Sequence, residues 1–441
     1  MTRRFRPVWA LHVLIVGLAV HNLVMSQLYR AGVRGNALSA AAAWKDVLLV
    51  AVLVVVLWSR RGLRIEGAVD WLALAFGALV VVYALIPQSV LGGGATHKGV
   101  LYGTRHDLLP VGAYLVGRNL DLTGEERRSL CRTVLFTAAG VAVYGLLDVY
   151  LVPLSWWRQS AGWFGDQLGL TYHGLSGLPE NFVYNQGGGV IYRRLTSSFL
   201  SPLATAYLLV VAMFFIPFRA RRYGPPLALL LLAALLFTHT RAALLALVLG
   251  LLVLAVLRRA AFPAVLAVVV AVLGLAFVKV YGDVAPRAHF TAAEQREQER
   301  HAQQNPQVSH DATSANEAST SEHLASLRAG ARTVIHHPWG YGIGNAGVTA
   351  ERTNVKVEAG ESTYTEVGAE MGVLGALVFA AWMVALLIGL RFVPWLAAAF
   401  AAMALVALQT DMIGIPWLGV VLFALAGVYL PRKRNFSATF P

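Results

Sequence analysis

The sequence predicts an all-α polytopic membrane protein. Of its 441 residues, 57% are hydrophobic and 13% are charged, and the mean hydropathy is +0.61. A soluble domain is usually about one quarter charged. Apolar runs long enough to cross a bilayer also recur along most of the chain. These observations favour about twelve transmembrane helices over a soluble fold.

The individual spans follow from the length of each apolar run, since a transmembrane helix needs about 20 mostly apolar residues. The predicted spans are 8–28, 38–58, 68–87, 100–117, 133–152, 197–217, 225–240, 242–257, 262–281, 370–390, 394–411 and 415–430. The fourth is the least apolar, because it contains Arg105, His106 and Asp107. No small-residue cleavage site follows the first run, so we expect a span there rather than a cleaved signal peptide.

The distribution of positive charge sets the predicted orientation. With the N-terminus in the cytoplasm, the inside segments hold 19 lysines and arginines, and the short outside segments hold 8. Positive charge concentrates in cytoplasmic loops, so both termini are predicted to be cytoplasmic. The net charge of +13 is then explained by clusters at the ends of spans. We therefore expect membrane lipids as partners, and no nucleic acid.

Two outer segments are too long to be simple connections. Residues 1–281 are expected to hold the first nine helices, with an outer loop at 153–196. Residues 282–369 form a large outer loop before the third-last span, and residues 370–441 hold the last three helices and a cytoplasmic tail. Loops of such length are usually functional or disordered. In the polar first part of the larger loop, residues 292–304 are compatible with a solvated surface helix, and residues 305–318 are typical of a mobile linker.

The stretch after this linker predicts a short amphipathic helix. One set of apolar residues recurs at helical spacing and predicts a buried stripe. Its members are Leu324, Leu327, Ala331, Val334 and Ile335. Arg328, Arg332 and His336 share another face of the same helix. Pro338 should end the helix, so His337 leaves it at the last turn. The following "WGYGIGNAG" supplies backbone able to adopt positive φ angles.

Two arginines oppose the charge distribution. Arg241 in "FTHTRAALLAL" and Arg194 in "IYRRLTSSFLSP" lie at the outer ends of predicted spans. Either side chain can reach the membrane interface along its aliphatic part. Alternatively, a charge at membrane depth marks a functional site. A guanidinium group suits phosphate oxygens, and a lipid diphosphate is the obvious anion at a membrane surface.

Three motifs, taken together, resemble the O-antigen ligase and polymerase superfamily of bacterial envelope glycosyltransferases. "RRLTSSFLSPLATAYLL" is similar to the family's arginine-containing segment, with Arg194 at the arginine position. "THTRAALLAL" places Arg241 at a second such position, and "HPWGYGIGNAG" places His337 at the family's His-Pro position. The resemblance covers roughly residues 130–430. It departs from the family at "ESTY", beginning at Glu361, where many members have His-Asn.

The resemblance implies an enzyme that takes a glycan from undecaprenyl diphosphate, on the periplasmic face of the inner membrane. A ligase transfers it to lipid A–core oligosaccharide, which is the interpretation we favour. A polymerase transfers it to another lipid-linked glycan. Both reactions are inverting, need no metal and use no cofactor. His337 is then the general base, and Arg194 and Arg241 bind the diphosphate. Auxiliary candidates are Arg328, Arg332, His336 and Glu361.

Alternatives from other classes remain at this point. A transporter or flippase of a lipid-linked anion would also need arginines within a helical membrane domain. The sequence shows no clear duplication of its first six spans, which argues against that class. A scaffolding protein would leave Arg241 unexplained. No metal site is expected, because no outer cluster has zinc-ligand spacing and Cys131 is the single cysteine.

Overall fold

A computed structural model describes most of the chain. The described residues are 7–60, 62–160, 162–168, 182–185, 190–217, 222–289, 296, 318–359 and 361–432. Apart from residues 296 and 318, the predicted surface helix at 292–304 and the predicted linker at 305–318 lie outside them.

Helices dominate these residues. They are α1 (Val8–Arg30), α2 (Gly35–Ala42), α3 (Trp44–Arg60), α4 (Ala68–Leu85), α5 (Gln88–Leu91), α6 (His97–Asn119), α7 (Gly124–Leu151), α8 (Leu154–Ser160), α9 (Trp163–Leu168), α10 (Pro202–Phe214), α11 (Gly224–Phe237), α12 (Arg241–Arg258), α13 (Ala261–Val284), α14 (Ala318–His336), α15 (Gly347–Arg352), α16 (Thr363–Leu390), α17 (Pro394–Val406) and α18 (Phe423–Tyr429). A 3₁₀ helix at Ser197–Phe199 precedes α10, and a π-helix at Leu418–Leu422 leads into α18. Three short strands form one antiparallel sheet: β1 (Val183–Asn185), β2 (Val190–Arg193) and β3 (Arg287–His289).

The all-α membrane class is confirmed, whereas the number of spans stays a prediction. Every predicted span overlaps a helix. Within the described residues, seven helices are long and apolar enough to cross a membrane. These are Val8–Arg30, Gly35–Ser59, Ala68–Leu85, Gly124–Leu151, Arg241–Arg258, Ala261–Val284 and Thr363–Leu390. α6 is long enough but carries the charges noted above.

Four other apolar helices are shorter than a bilayer is thick. α10 has 13 residues and α11 has 14, which corresponds to about 20 Å of helix against about 30 Å of hydrocarbon. α17 and the π-helix continued by α18 are similarly short. Non-helical backbone at membrane depth is tolerated where protein buries it. Accordingly, the 3₁₀ helix that extends α10 is wholly buried.

The helix that follows the large loop begins earlier than predicted. α16 starts at Thr363 rather than at residue 370. It bends at Gly372, whose φ of +68° is outside the helical region. A Cβ atom at Gly372 would lie 2.1 Å from the Pro338 carbonyl oxygen, and Val373 N donates to that oxygen at 2.9 Å. The glycine therefore lets the "HPWG" stretch pack directly on α16.

The helix of the large loop, α14, ends where Pro338 predicts. The prediction of its buried stripe was wrong. α14 ends at His336. Leu324 is 47% exposed and Ile335 is 71% exposed. The helix instead contacts α16 through Gly330, where a Cβ atom would lie 2.8 Å from the Thr365 side chain. Such a close, narrow contact leaves the flanking apolar side chains uncovered.

Small residues also fix α6 against α18. A Cβ atom at Gly117 would lie 1.9 Å from the Ala424 carbonyl oxygen, and one at Gly427 would lie 2.3 Å from the Tyr114 carbonyl oxygen. Membrane helices commonly approach each other through such residues. This contact anchors α6, which carries His106 and Asp107 in its N-terminal half.

Candidate active site

The small sheet holds the first arginine motif in place. Val183 pairs with Arg193, and Tyr192 pairs with Arg287. Just beyond β2, Arg194 N donates to the Phe182 carbonyl oxygen at 3.0 Å. Leu195 N then donates to the carbonyl oxygen of Phe237, the last residue of α11, at 2.9 Å. The motif is thereby tied to the chain segment that leads into Arg241.

The two adjacent arginines have different environments. Arg193 is 4% exposed, and its Nη2 lies 2.9 Å from Asp148 Oδ2. Asp148 Oδ1 also accepts from Trp157 Nε1 at 2.7 Å. Arg193 Nη1 donates to the Val152 carbonyl oxygen. These contacts account for Arg193 without any ligand.

We expect Arg193→Ala to destabilise the protein by about 3–5 kcal/mol, since it leaves Asp148 buried without its cation. Thermal unfolding in detergent measures this loss. The Arg193→Ala/Asp148→Asn double variant should recover part of the stability. An unchanged melting temperature for Arg193→Ala would contradict the structural role.

The side chain of Arg194 instead contacts residues 238–240, the link between α11 and α12. Its Nε donates to the Thr238 carbonyl oxygen at 2.9 Å, and its Nη2 lies 3.2 Å from Thr240 Oγ1. Among the described residues, no carboxylate forms an ion pair with Arg194. Desolvation, followed by the charge of Arg241, lowers the pKa of Arg194 to about 10. Arg194 therefore stays protonated at neutral pH, and Arg241 lies close enough for its charge to act on Arg194.

Aromatic rings line the same link. The His239 ring lies 4.2 Å from the rings of Tyr184 and Tyr281, and the φ of His239 is +49°. Tyr281 Oη donates to the Arg193 carbonyl oxygen at 2.7 Å. These contacts fix the backbone between the two arginine motifs. Arg241 is the first residue of α12, where the helix dipole adds positive potential.

His337 lies at the C-terminal end of α14 and has the geometry of an oriented base. Its Nε2 is 2.9 Å from the Leu91 carbonyl oxygen, and its ring stacks on Tyr341 at 3.9 Å. A carbonyl oxygen only accepts, so Nε2 carries the hydrogen of the neutral ring. The lone pair then lies on Nδ1, in a half-buried side chain.

The structure brings together Arg194 and Arg241, but it does not bring His337 to them. The other end of α14 approaches the arginines: His323 Nδ1 is 2.9 Å from Glu361 Oε2, and the charge of Arg241 acts on His323. His323 and His337 are about 20 Å apart along the helix, at about 1.5 Å per residue.

The auxiliary candidates are distributed along the same helix. Arg328, Arg332 and His336 are exposed. His336 Nδ1 lies 2.8 Å from the Arg332 carbonyl oxygen, which caps the helix end. Within the described part of the chain, no hydrogen bond or ion pair joins them to Arg194. Glu361 is 63% exposed at its side chain, and it is the auxiliary candidate that lies nearest the arginines by these contacts.

Sequence reasoning missed the residues that hold the glycine-rich stretch "WGYGIGNAG" in place. Asn345 Oδ1 accepts from Gly94 N at 2.8 Å and from Ala95 N at 3.0 Å. A Cβ atom at Gly93 would lie 2.0 Å from the Tyr341 carbonyl oxygen. The stretch 91–99 therefore packs tightly on the segment that follows His337. The sequence indicated this contact only by three successive glycines, which are equally typical of a loose turn.

A comparison with known families agrees with the motif resemblance. Residues 226–380 match the family model described as O-antigen ligase. The matched region contains Arg241, α14 and His337, whereas Arg194 precedes it. The chain has no match among curated proteins. The predicted resemblance is thus confirmed over residues 226–380, where this multi-pass membrane protein is similar to the O-antigen ligase family.

Proposed function

We propose that the protein transfers a glycan from undecaprenyl diphosphate to an acceptor hydroxyl on the periplasmic face of the bacterial inner membrane. The observation that carries this proposal is the arrangement of Arg194 and Arg241 around Thr238–Thr240. Arg194 keeps a full charge and has no described carboxylate partner. Together with the guanidinium group of Arg241, it suits the two phosphates of a lipid diphosphate.

The reaction exchanges one bond for another at the anomeric carbon. The acceptor oxygen forms a bond to that carbon while the bond to the diphosphate oxygen breaks. The electron pair of the broken bond stays on the diphosphate, where the arginines stabilise the added charge. The hydroxyl proton passes to a general base, and attack from the opposite face inverts the anomeric configuration. The arginines supply the charge at the diphosphate, so this step uses no metal.

His337 is the base that the motif suggests. The Leu91 carbonyl oxygen holds its Nε2–H and leaves Nδ1 ready to accept a proton. To act on a hydroxyl that attacks a glycan bound at the arginines, Nδ1 must come close to them. The His337 end of α14 must therefore move towards the arginines. His337 therefore suits a state in which α14 has shifted relative to Arg194 and Arg241.

Glu361 is the base that suits the described conformation. Its carboxylate pairs with His323 at the end of α14 that approaches Arg241. The hydrogen bond to Glu361 raises the pKa of His323, so the pair favours the protonated imidazole as the partner of the Glu361 carboxylate. One carboxylate oxygen is then held and the other can accept a proton. Its exposed position also gives an acceptor hydroxyl access.

The acceptor distinguishes the members of the superfamily, and we propose the ligase reaction. Deletion of the gene should then abolish capped lipid A–core, while lipid-linked polymer accumulates. Analysis of extracted glycolipids measures both. Caps of a single repeat would show a polymerase instead. Normal capping with the donor held on the cytoplasmic face would show a transporter and contradict transfer by this protein.

A further inference from the structure

A second polar cluster lies inside the helical domain, apart from the arginines. It combines His106 and Asp107 of α6, Glu366 and Glu370 of α16, and Asp411 of the segment after α17. His106 Nε2 is 2.8 Å from Asp411 Oδ2, and His106 Nδ1 is 2.8 Å from Asp107 Oδ1. One ligand atom each from His106, Glu366 and Asp411 lie within 4.8 Å of one another.

These side chains surround a small cavity of about 10 Å³, which is room for roughly one water molecule or ion. Asp107 lines it and is 1% exposed. Its Oδ2 has no hydrogen-bond donor among the described residues. The side chain of His106 is 22% exposed, which leaves access from outside. The cavity is therefore small, polar and open to an incoming ion.

Negative groups outnumber positive groups in the cluster. Four carboxylates lie around one imidazole, and the positive charge of Arg352 also acts on Asp411. The two ion pairs of His106 run to Asp107 and Asp411. Glu370 lies close enough to share a hydrogen with Asp107. Buried carboxylates are costly unless a proton, a partner or a metal compensates them.

We propose that this cluster binds one divalent cation, through His106 Nε2 and the carboxylates of Glu366 and Asp411. Asp107 then accepts from His106 Nδ1–H, an arrangement that commonly orients a histidine bound to a metal. The oxygen-rich set with one imidazole suits Mn²⁺ and similar ions better than ions that prefer sulfur. Small shifts of the three side chains would close the shell around the ion.

The cation would tie the glycine-rich stretch to the helices. Glu370 Oε1 accepts from Gly344 N at 2.8 Å. A Cβ atom at Gly347 would lie 2.4 Å from the Glu366 carboxylate. The turn of α16 that carries the ligand Glu366, and the next turn with Glu370, therefore support the segment that follows His337. The ion stabilises this arrangement, and its binding does not depend on the proposed transfer reaction.

Mn²⁺ binding to the full-length protein in detergent tests this site after removal of metals with a chelator. We expect one Mn²⁺ per chain by equilibrium dialysis. Asp411→Asn and Glu366→Gln should each weaken binding at least about tenfold. Glu125→Gln is the matched control, because Glu125 is exposed in the first turn of α7, which follows the end of α6, about 20 Å along that helix from His106. It should bind Mn²⁺ as the unmodified protein does.

A second measurement needs no variant. Pulsed electron paramagnetic resonance of the bound Mn²⁺ should detect one coupled histidine nitrogen, and Mn²⁺ should raise the melting temperature. Absence of stoichiometric binding would overturn the proposal and show that the carboxylates share protons instead. Binding without a coupled nitrogen, or binding equally strong in both variants, would also overturn it.

Discussion

Replacement of Arg241 by alanine is expected to lower the rate of glycan transfer about 100- to 1,000-fold. Loss of one group that stabilises developing negative charge has effects of this size. Arg241 starts α12 and acts on the same region as Arg194, so the leaving diphosphate would lose half of its fixed positive charge. Initial rates with purified protein and a lipid-diphosphate-linked glycan measure the effect.

The matched control is Arg222→Ala. Arg222 is exposed near Tyr223, before α11, whereas the arginine site lies beyond the other end of that helix. It should retain the rate of the unmodified protein. Arg241→Lys keeps the charge but loses the forked donors, so we expect an intermediate rate. Equal rates for Arg241→Ala and Arg222→Ala, in protein that remains folded, would contradict a role at the diphosphate.

The helical architecture was predictable because it rests on apolar length, which is a local property. The ends of the membrane spans were less predictable. The run at 197–217 became a 3₁₀ turn followed by α10, since Ser197 and Ser198 donate to carbonyl oxygens of other helices. α16 also starts at Thr363, whose Oγ1 donates to the Thr410 carbonyl oxygen. Such side-chain contacts depend on tertiary packing and leave no periodic signal in the sequence.

The candidate site was predictable only in part, for a related reason. Arg194 and Arg241 stood out because they oppose the charge distribution, which can be read residue by residue. The distinction from Arg193 required the position of Asp148, which lies on α7. The separation of His337 from the arginines depends on how α14 packs against α16. The polar cluster of His106, Glu366 and Asp411 joins three segments that are distant in the sequence, so no spacing motif could indicate it.

The identity of the general base gives the second large effect, because loss of a base typically costs about 100- to 10,000-fold in rate. Glu361→Gln keeps the size of the side chain but removes its basicity. If the protein reacts in the conformation of this structure, Glu361→Gln should lower the rate by about 100- to 10,000-fold. His337→Ala should then act mainly through the packing of its segment and lose much less. Glu361→Asp should restore part of the rate.

The two assignments differ in a second, independent measurement. With Glu361 as base, His323→Ala should lower the rate and alter its pH dependence, because the partner that holds the Glu361 carboxylate is lost. With His337 as base, His323→Ala should leave the pH profile unchanged. His337→Ala should then remove the acidic limb, because a general base acts only in its unprotonated form. Full activity in both Glu361→Gln and His337→Ala would exclude both residues, because the proton must then pass to another group.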